Sequence, residues 1–144
     1  MDAVDIESGS WSELRVPATD VRRTVFIDEQ GVDESVELDG KDADARHVVA
    51  FEDGTAVGTA RLRFVDDDTA KAERVAVRPA SRENGIGTAL MNAVEDIARA
   101  RGRTVVRLHA QTRVRDFYDR LGYEVVSGEF EEAGIPHVAM AKRL

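Results

Sequence analysis

The order of apolar runs and turn signals predicts an α/β protein: one sheet of mixed strand direction with helices packed on it. Three observations carry this. Short runs rich in β-branched and apolar residues, bounded by turn formers, recur at 47–52, 56–65, 69–77 and 104–110. Two longer segments, 19–30 and 86–101, repeat their apolar residues at helical spacing. The resulting order, β-α-β-β-β-α-β-α-β-β, intersperses helices among strands, which gives neither a purely parallel nor a purely antiparallel sheet.

Taken in order, residues 1–10 are polar and are expected to fray. Residues 11–16 read as a first strand that Pro17 closes. Thr19 or Asp20 supplies an N-cap, and Val21, Val25 and Phe26 follow at helical spacing until Gly31 stops the helix. Residues 32–45 are acidic and turn-rich, a loop with one helical turn near 41–45. Asp53-Gly54 is a hairpin turn between the runs 47–52 and 56–65, and Asp66-Asp67-Asp68 turns the chain into 69–77. Pro79 ends that strand. Ile86, Leu90, Val94 and Ile97 line one face of the next helix, with Arg99, Arg101 and Gly102 as its stop signals. Residues 104–110 form a central strand, 114–121 a helix ending at Gly122, and 123–126 and 138–142 the closing strands. Neither a repeat nor a linker interrupts the chain, so 1–144 read as one domain.

At 144 residues, with 42% hydrophobic and 33% charged, the chain is long enough to bury a core and too apolar to be disordered. No apolar run approaches the roughly 18–20 residues of a membrane span, and no basic-then-apolar leader opens the chain. A cytoplasmic protein without membrane contact is expected. A net charge of −8 argues against nucleic acid as a partner. Lysine stands only at 41, 71 and 142, and arginine supplies the other basic side chains. Acid-rich, lysine-poor composition suits solubility in high salt, as in a halophilic source, and fits an ordinary acidic cytosolic protein as well. The absence of cysteine removes disulfides, thiolate metal sites and a cysteine acyl-enzyme. Three scattered histidines without H-x-x-x-H spacing predict no metal site.

The stretch Arg82-Glu83-Asn84-Gly85-Ile86-Gly87 carries the most chemistry. It joins a short strand to a long helix, and the first four N–H groups of a helix lack intrahelical partners and carry partial positive charge. Glycines at 85 and 87 remove side chains that would keep a phosphate off that backbone, so the stretch reads as a pyrophosphate cradle. It is not a Walker loop, since no Gly-Lys-Ser/Thr follows, nor a G-x-G-x-x-G dinucleotide turn. Alone it is also compatible with a tight turn and a glycine-rich helix start.

Over roughly residues 12–143 the chain resembles the GNAT N-acetyltransferase superfamily. Val75-Ala76-Val77-Arg78-Pro79 followed by Arg82-x-x-Gly85-x-Gly87 looks like its acetyl-CoA pyrophosphate motif. Phe117-Tyr118-x-x-Leu121-Gly122-Tyr123 looks like its late helix–strand motif. Val25-Phe26-Ile27-Asp28-Glu29-Gln30 and His109-Ala110-Gln111 are similar to the ElaA-like branch. The resemblance implies the GNAT fold, a mostly antiparallel mixed sheet with a splayed central strand pair flanked by helices. It implies acetyl-CoA as cosubstrate in the wedge between 73–77 and 104–110, with backbone around Val75, Ala76 and Val77 pairing with the pantetheine arm. The amides of Arg82, Glu83, Asn84, Gly85, Ile86, Gly87 and Thr88 would hold the pyrophosphate, with charge-assisted bonds from Arg82. The chain departs from many members in having Gln111 for an asparagine and Val114 for a small alanine. Gln111 still offers an amide donor and acceptor to the cofactor.

The resemblance also implies transfer of an acetyl group straight to a primary amine of a small molecule or peptide, by a monomer or homodimer. Tyr118 is then the general acid, a phenol of pKa ~10 that protonates the leaving thiolate. The oxyanion donor is a backbone N–H in 75–77. For the general base, Glu29, Glu73 and His109 are candidates beside His47, His137 and a water relay. The acidic residues Asp33, Glu34, Glu37, Asp39, Asp42 and Asp44 would favour a cationic acceptor, or simply belong to an acid-rich surface. The competing reading is a non-catalytic acyl-CoA-binding or sensing module, which the presence of Tyr118 disfavours. A nucleotide-phosphate binder of another fold would need a magnesium-binding hydroxyl after the glycines, which is missing.

Overall fold

Ser10 sets the first boundary. Its hydroxyl accepts from the Glu13 amide at 3.4 Å while the Glu13 carboxylate accepts from the Ser10 amide at 3.0 Å. This reciprocal cap starts helix α1 (Trp11–Arg22) nine residues ahead of the Thr19 cap expected from sequence. The expected strand at 11–16 is therefore helical, and Pro17 lies inside the helix rather than closing a strand. Leu14, Ala18, Val21 and Val25 are buried at helical spacing, which holds the segment against the sheet despite the proline.

In the computed structural model, which describes residues 4–144, strand β1 (Val4–Gly9) lies along β2 (Arg46–Glu52). Residues 4–9, expected to fray, are thus paired, and residues 1–3 lie outside the described part. After α1 the chain continues as a π-helical segment, Arg23–Glu29, and a short helix α2 (Glu34–Glu37) that the sequence did not suggest. The turn expected near 41–45 is present as a single hydrogen bond from Ala45 N–H to Asp42 O at 3.2 Å. The remaining strands are β3 (Thr55–Phe64), β4 (Thr69–Val77), β5 (Val105–Gln111), β6 (Glu124–Val125), β7 (Phe130–Glu132) and β8 (Ile135–Arg143). Helices α3 (Ile86–Ala100) and α4 (Arg115–Arg120) complete the fold. The sheet runs β1-β2-β3-β4-β5-β8-β6 with β7 attached to β8, and every pairing is antiparallel except β4 with β5. The β7–β8 hairpin, turning at Ala133 and Gly134 with φ of 52° and 75°, has no counterpart in the sequence reading.

Two apolar layers cover the sheet. On one face α3 lays Ile86, Leu90, Met91, Val94 and Ala98 on Val48, Leu62, Ala72, Val106, Leu108 and Met140. A Cβ at Gly58 would stand 3.0 Å from both Ile86 and Leu90, so the bare backbone of β3 lets α3 lie close. On the other face α1 covers Val49, Ala56 and Ala76. No described helix is long and apolar enough to cross a membrane.

The face under α1 also holds a buried ionic cluster. Arg22 meets Glu37 at 2.9 Å and Asp42 at 2.8 Å, and Arg61 meets Asp39 at 2.8 Å, Asp42 at 3.1 Å and Glu73 at 2.7 Å. Arg61 is wholly buried, a cost met only because several charge-assisted hydrogen bonds converge on it. Three of the acidic residues read as facing an acceptor, Glu37, Asp39 and Asp42, are turned inward to neutralise arginines. Asp33 instead caps α2 through the Ser35 amide, and Glu34 pairs with Arg23. Half of the acidic stretch is thus an internal scaffold, and Asp33, Glu34 and Asp44 are exposed.

Candidate active site

Strands β4 and β5 run parallel and pair from Thr69 with Val105 to Ala72 with Leu108. Beyond that point β4 stays with β3 while His109, Ala110 and Gln111 stay with β8, so the two strands part within one sheet. The cause is a bulge. Glu73 pairs with Arg61 and Ala76 with Thr59, which leaves Arg74 and Val75 together opposite Ala60. Arg74 takes φ 54°, a left-handed conformation costing an arginine about 1 kcal/mol. Its guanidinium is tied to the Glu37 carbonyl at 3.1 Å and to Asp39 at 3.3 Å, which holds the bulge in place.

Past the bulge, Arg78 N–H donates to Val57 O at 2.8 Å. Even-numbered residues therefore face β3, and the N–H and C=O groups of Val75 and Val77 face the gap. Ala76, grouped with them from sequence, bonds toward β3 and buries its methyl under α1. At the far end of the gap, the amides of residues 83–88 have no acceptor among the described residues, and Ala89 N–H is the first taken up, by Gly85 O at 3.0 Å. The Arg82 amide is bonded to Pro79 O at 3.3 Å, so the row of free amides begins one residue later than expected. Gly85 N-caps α3 with φ 77° and no side-chain cap, the conformation for which glycine is suited. Gly87 is different. A Cβ there would stand 3.0 Å from the Phe117 ring, so its bareness seats that ring on the first turn of α3 rather than clearing a path for phosphate.

Arg82 does not lie free. Its two terminal nitrogens donate to Glu29 at 2.7 and 2.5 Å and its Nε to Val77 O at 3.0 Å. The next residue, Gln30, accepts from Gln111 Nε2 at 2.9 Å. The end of the π-helical segment thus reaches both arms of the gap, Glu29 to the chain just past β4 and Gln30 to the end of β5. Gln111 also accepts from Arg113 at 3.0 Å, so both ends of its amide have protein partners.

The proposed bases fare unequally. Burial opposes ionisation of Glu73, yet hydrogen bonds from Arg63 and the charge of Arg61 outweigh it and hold the carboxyl down to about 2. A carboxylate so stabilised is a poor proton acceptor, which removes Glu73 from the role. The hydrogen bond from Arg82 likewise holds Glu29 below the usual range. His47 is pushed down by burial, contacts Asp42 O at 3.0 Å and packs on Trp11 at 4.8 Å, the setting of a structural histidine. His109 contacts Glu132 at 2.9 Å and packs edge-on to Phe130, at the first β5 position past the last β4 pair. His137 sits at 3.7 Å from the same Glu132, with Nδ1 at 2.7 Å from Ile135 O.

Tyr118 is buried on α4 between Phe117 and Tyr123, with ring centroids at 4.9 and 5.9 Å. Burial alone raises its pKa, so the phenol stays protonated at neutral pH. Its hydroxyl has no hydrogen-bond partner among the described residues, whereas that of Tyr123 donates to Glu95 at 2.9 Å. The structure thus gathers Val75, Val77, Arg82, the amides of 83–88 and Gln111 around one gap, and sets Ala76 and Glu73 aside. Sequence alone assigns no site role to Gln30 or Phe117, although both stand in quoted motifs. Among the described residues no three His, Asp or Glu side chains gather as a metal would need.

Comparison with known proteins identifies the family. The acetyltransferase (GNAT) domain family matches residues 14–144. The uncharacterised protein YyaT of Bacillus subtilis (strain 168) is 40% identical over 130 residues, covering 88% of this chain and 87% of that protein. Protein ElaA of Escherichia coli (strain K12) is 33% identical over 129 residues, covering 86% and 84%. The crystal structure of Escherichia coli ElaA superposes with a TM-score of 0.86 at 29% identity, covering 98% of this chain and all of that one (100%). A candidate N-acetyltransferase from Lactobacillus plantarum reaches 0.91 at 33% identity over 99% of both chains. At the level of fold alone, a GNAT family acetyltransferase from Elizabethkingia anophelis, solved with acetyl-CoA bound, gives 0.74 at 15% identity over 100% of both chains. The parted β4 and β5 and the free amides at the start of α3 therefore stand in a chain that belongs to the GNAT acetyltransferase family, an acyltransferase.

Proposed function

We propose that this chain transfers an acetyl group from acetyl-CoA directly to a primary amine of a small molecule or peptide. The observation that carries this is the gap between β4 and β5, with outward-facing backbone groups along one arm and free amides at its end. The pantetheine arm would lie along Val75 and Val77 as an added strand, and the pyrophosphate would take the amides of 83–88. In the Elizabethkingia anophelis enzyme, the same fold holds acetyl-CoA.

Transfer joins the amine nitrogen to the acetyl carbon and breaks the carbon–sulfur bond. Of the two protons the ammonium sheds, one ends on the departing sulfur and one in solvent. A gap-facing N–H of 75–77 meets the negative charge growing on the carbonyl oxygen. Tyr118, held protonated by burial, gives its proton to the sulfur and is replenished from water. With Glu73 and His47 committed to structure, we assign amine deprotonation to water in the cleft beside His109.

The test is thiol release from acetyl-CoA across a panel of amines, with calorimetric binding of acetyl-CoA. Turnover with at least one amine is expected, and Tyr118→Phe should lower it by about 10- to 1000-fold with cofactor affinity nearly unchanged. Unchanged turnover in that variant removes Tyr118 from the acid role. Absence of thiol release across the panel overturns the transferase reading.

A further inference from the structure

Just behind the point where β4 and β5 part, on the α1 face of the sheet, lies an open hollow of about 250 Å³ lined by Val65, Lys71, Arg107 and His109. Lys71 and Arg107 are register partners on the parallel strands, so two cationic side chains stand directly beside each other on one face. Like charges so placed repel and lower stability unless something stands between them. Lys71 is held 3.3 Å from Glu73, but that carboxylate already serves Arg61 and Arg63. Arg107 is exposed and has no carboxylate partner among the described residues.

Within the ion-paired cluster beside the hollow, cations outnumber carboxylates. Arg22, Arg61, Arg63, Lys71 and Arg74 share four carboxylates, Glu37, Asp39, Asp42 and Glu73. That leaves one cation in surplus before Arg107 is counted, in a chain of net charge −8. Arg143, register partner of Val105, adds a further cation to this face. Glu132, engaged by His109, and Glu124 stand on this face. Asp66, Asp67 and Asp68 form the turn after the lining residue Val65, where Asp66 accepts from the Asp68 and Thr69 amides. Glu124 lies two strands from Arg107, about 10 Å, where salt screens it.

We propose that this hollow binds an anionic group of the acceptor, so that the substrate is a small amine carrying a carboxylate or phosphate. The inference rests on the transferase reading and fixes the acceptor class left open there. Position supports it: His109 is the first β5 residue past the last pair, and Arg107 lies two residues behind it, about 7 Å along the strand. An amine at the parting of the strands would then stand a few bonds from an anion held by Lys71 and Arg107. The volume holds roughly eight waters, the size of a phosphate or carboxylate with a short alkyl chain. Arginine is suited to grip either group with two parallel hydrogen bonds.

The experiment compares matched acceptors: O-phosphoethanolamine with ethanolamine, and 4-aminobutyrate with its amide. It reads kcat/KM with saturating acetyl-CoA in the wild type and in Arg107→Gln, Lys71→Gln and Arg107→Lys. One anionic amine should exceed its uncharged counterpart by about 10-fold or more, and which one does so separates phosphate from carboxylate. That ratio should collapse by about 10-fold in the glutamine variants and recover in part in Arg107→Lys, with acetyl-CoA affinity as a control. Wild-type turnover that favours the uncharged or a cationic amine overturns the anionic assignment and leaves the transferase standing. Direct calorimetric binding of O-phosphoethanolamine and 4-aminobutyrate needs no turnover. Binding of either that weakens in Arg107→Gln supports the hollow even if no acetylation is seen, and binding of neither overturns it.

Discussion

Arg82 gives Glu29 one N–H from each terminal nitrogen and gives Val77 O its Nε–H, which leaves a phosphate only the second N–H of each terminal nitrogen. The pair is part-exposed, so its own strength is small, on the order of 1 kcal/mol or less. Cofactor phosphate must displace Glu29 or share the guanidinium with it. Glu29→Gln should therefore bind CoA about 2- to 5-fold more tightly, an effect that fades as salt rises. Calorimetry at low and high salt measures this, and weaker binding in the variant would show that Glu29 helps rather than competes. Glu73 shows the same point from the other side: as a bare letter it is a carboxylate near the site, whereas between Arg61 and Arg63 it is a fixed counter-ion.

At the scale of elements, the first helix and the segment after it shape the site. A start at Trp11, fixed by the Ser10–Glu13 cap, sets the helical phase that buries Leu14, Ala18 and Val21 and delivers Glu29 and Gln30 to the two arms of the gap. Ser10→Ala should cost about 1 kcal/mol in chemical denaturation while leaving the fold intact. A loss below about 0.3 kcal/mol would mean the helix is held by packing alone. The wider turn of the π-helical segment, with Gln30 N–H bonded back to Val25 O at 3.1 Å, shifts the phase just before the residues that touch the site.

Across the whole molecule, the buried ionic cluster joins α1, the 31–45 segment, β3 and β4 into one support for the bulge. Glu73→Gln leaves Arg61 and Arg63 short of a counter-charge and should cost about 3 kcal/mol or more at neutral pH. The pH dependence has a fixed sign. Glu73 falls from an ordinary 4.5 to about 2 on folding, so its contribution is complete above pH 4.5 and is lost as pH falls toward 2. The stability gap between wild type and Glu73→Gln should shrink over that window in pH-dependent denaturation. A gap that stays constant would place the stabilisation elsewhere.

The sequence by itself determined what local chemistry controls. The hairpin at Asp53-Gly54, the strand leading to Pro79, the free amides after Arg82 and the long α3 follow from turn residues, β-branching and helical spacing within a few positions. The Ser10-x-x-Glu13 cap was legible too, but Pro17 in the same stretch argues for a stop, and only burial under the sheet settles which signal prevails. Strand β1 was not legible, because its polar residues gain order from pairing with residues some forty positions away. The same holds for the acids of 33–44 and for Lys71 beside Arg107. Whether a charge is a free surface group, a buried counter-ion or half of an unneutralised pair depends on partners brought together by the order of strands in the sheet.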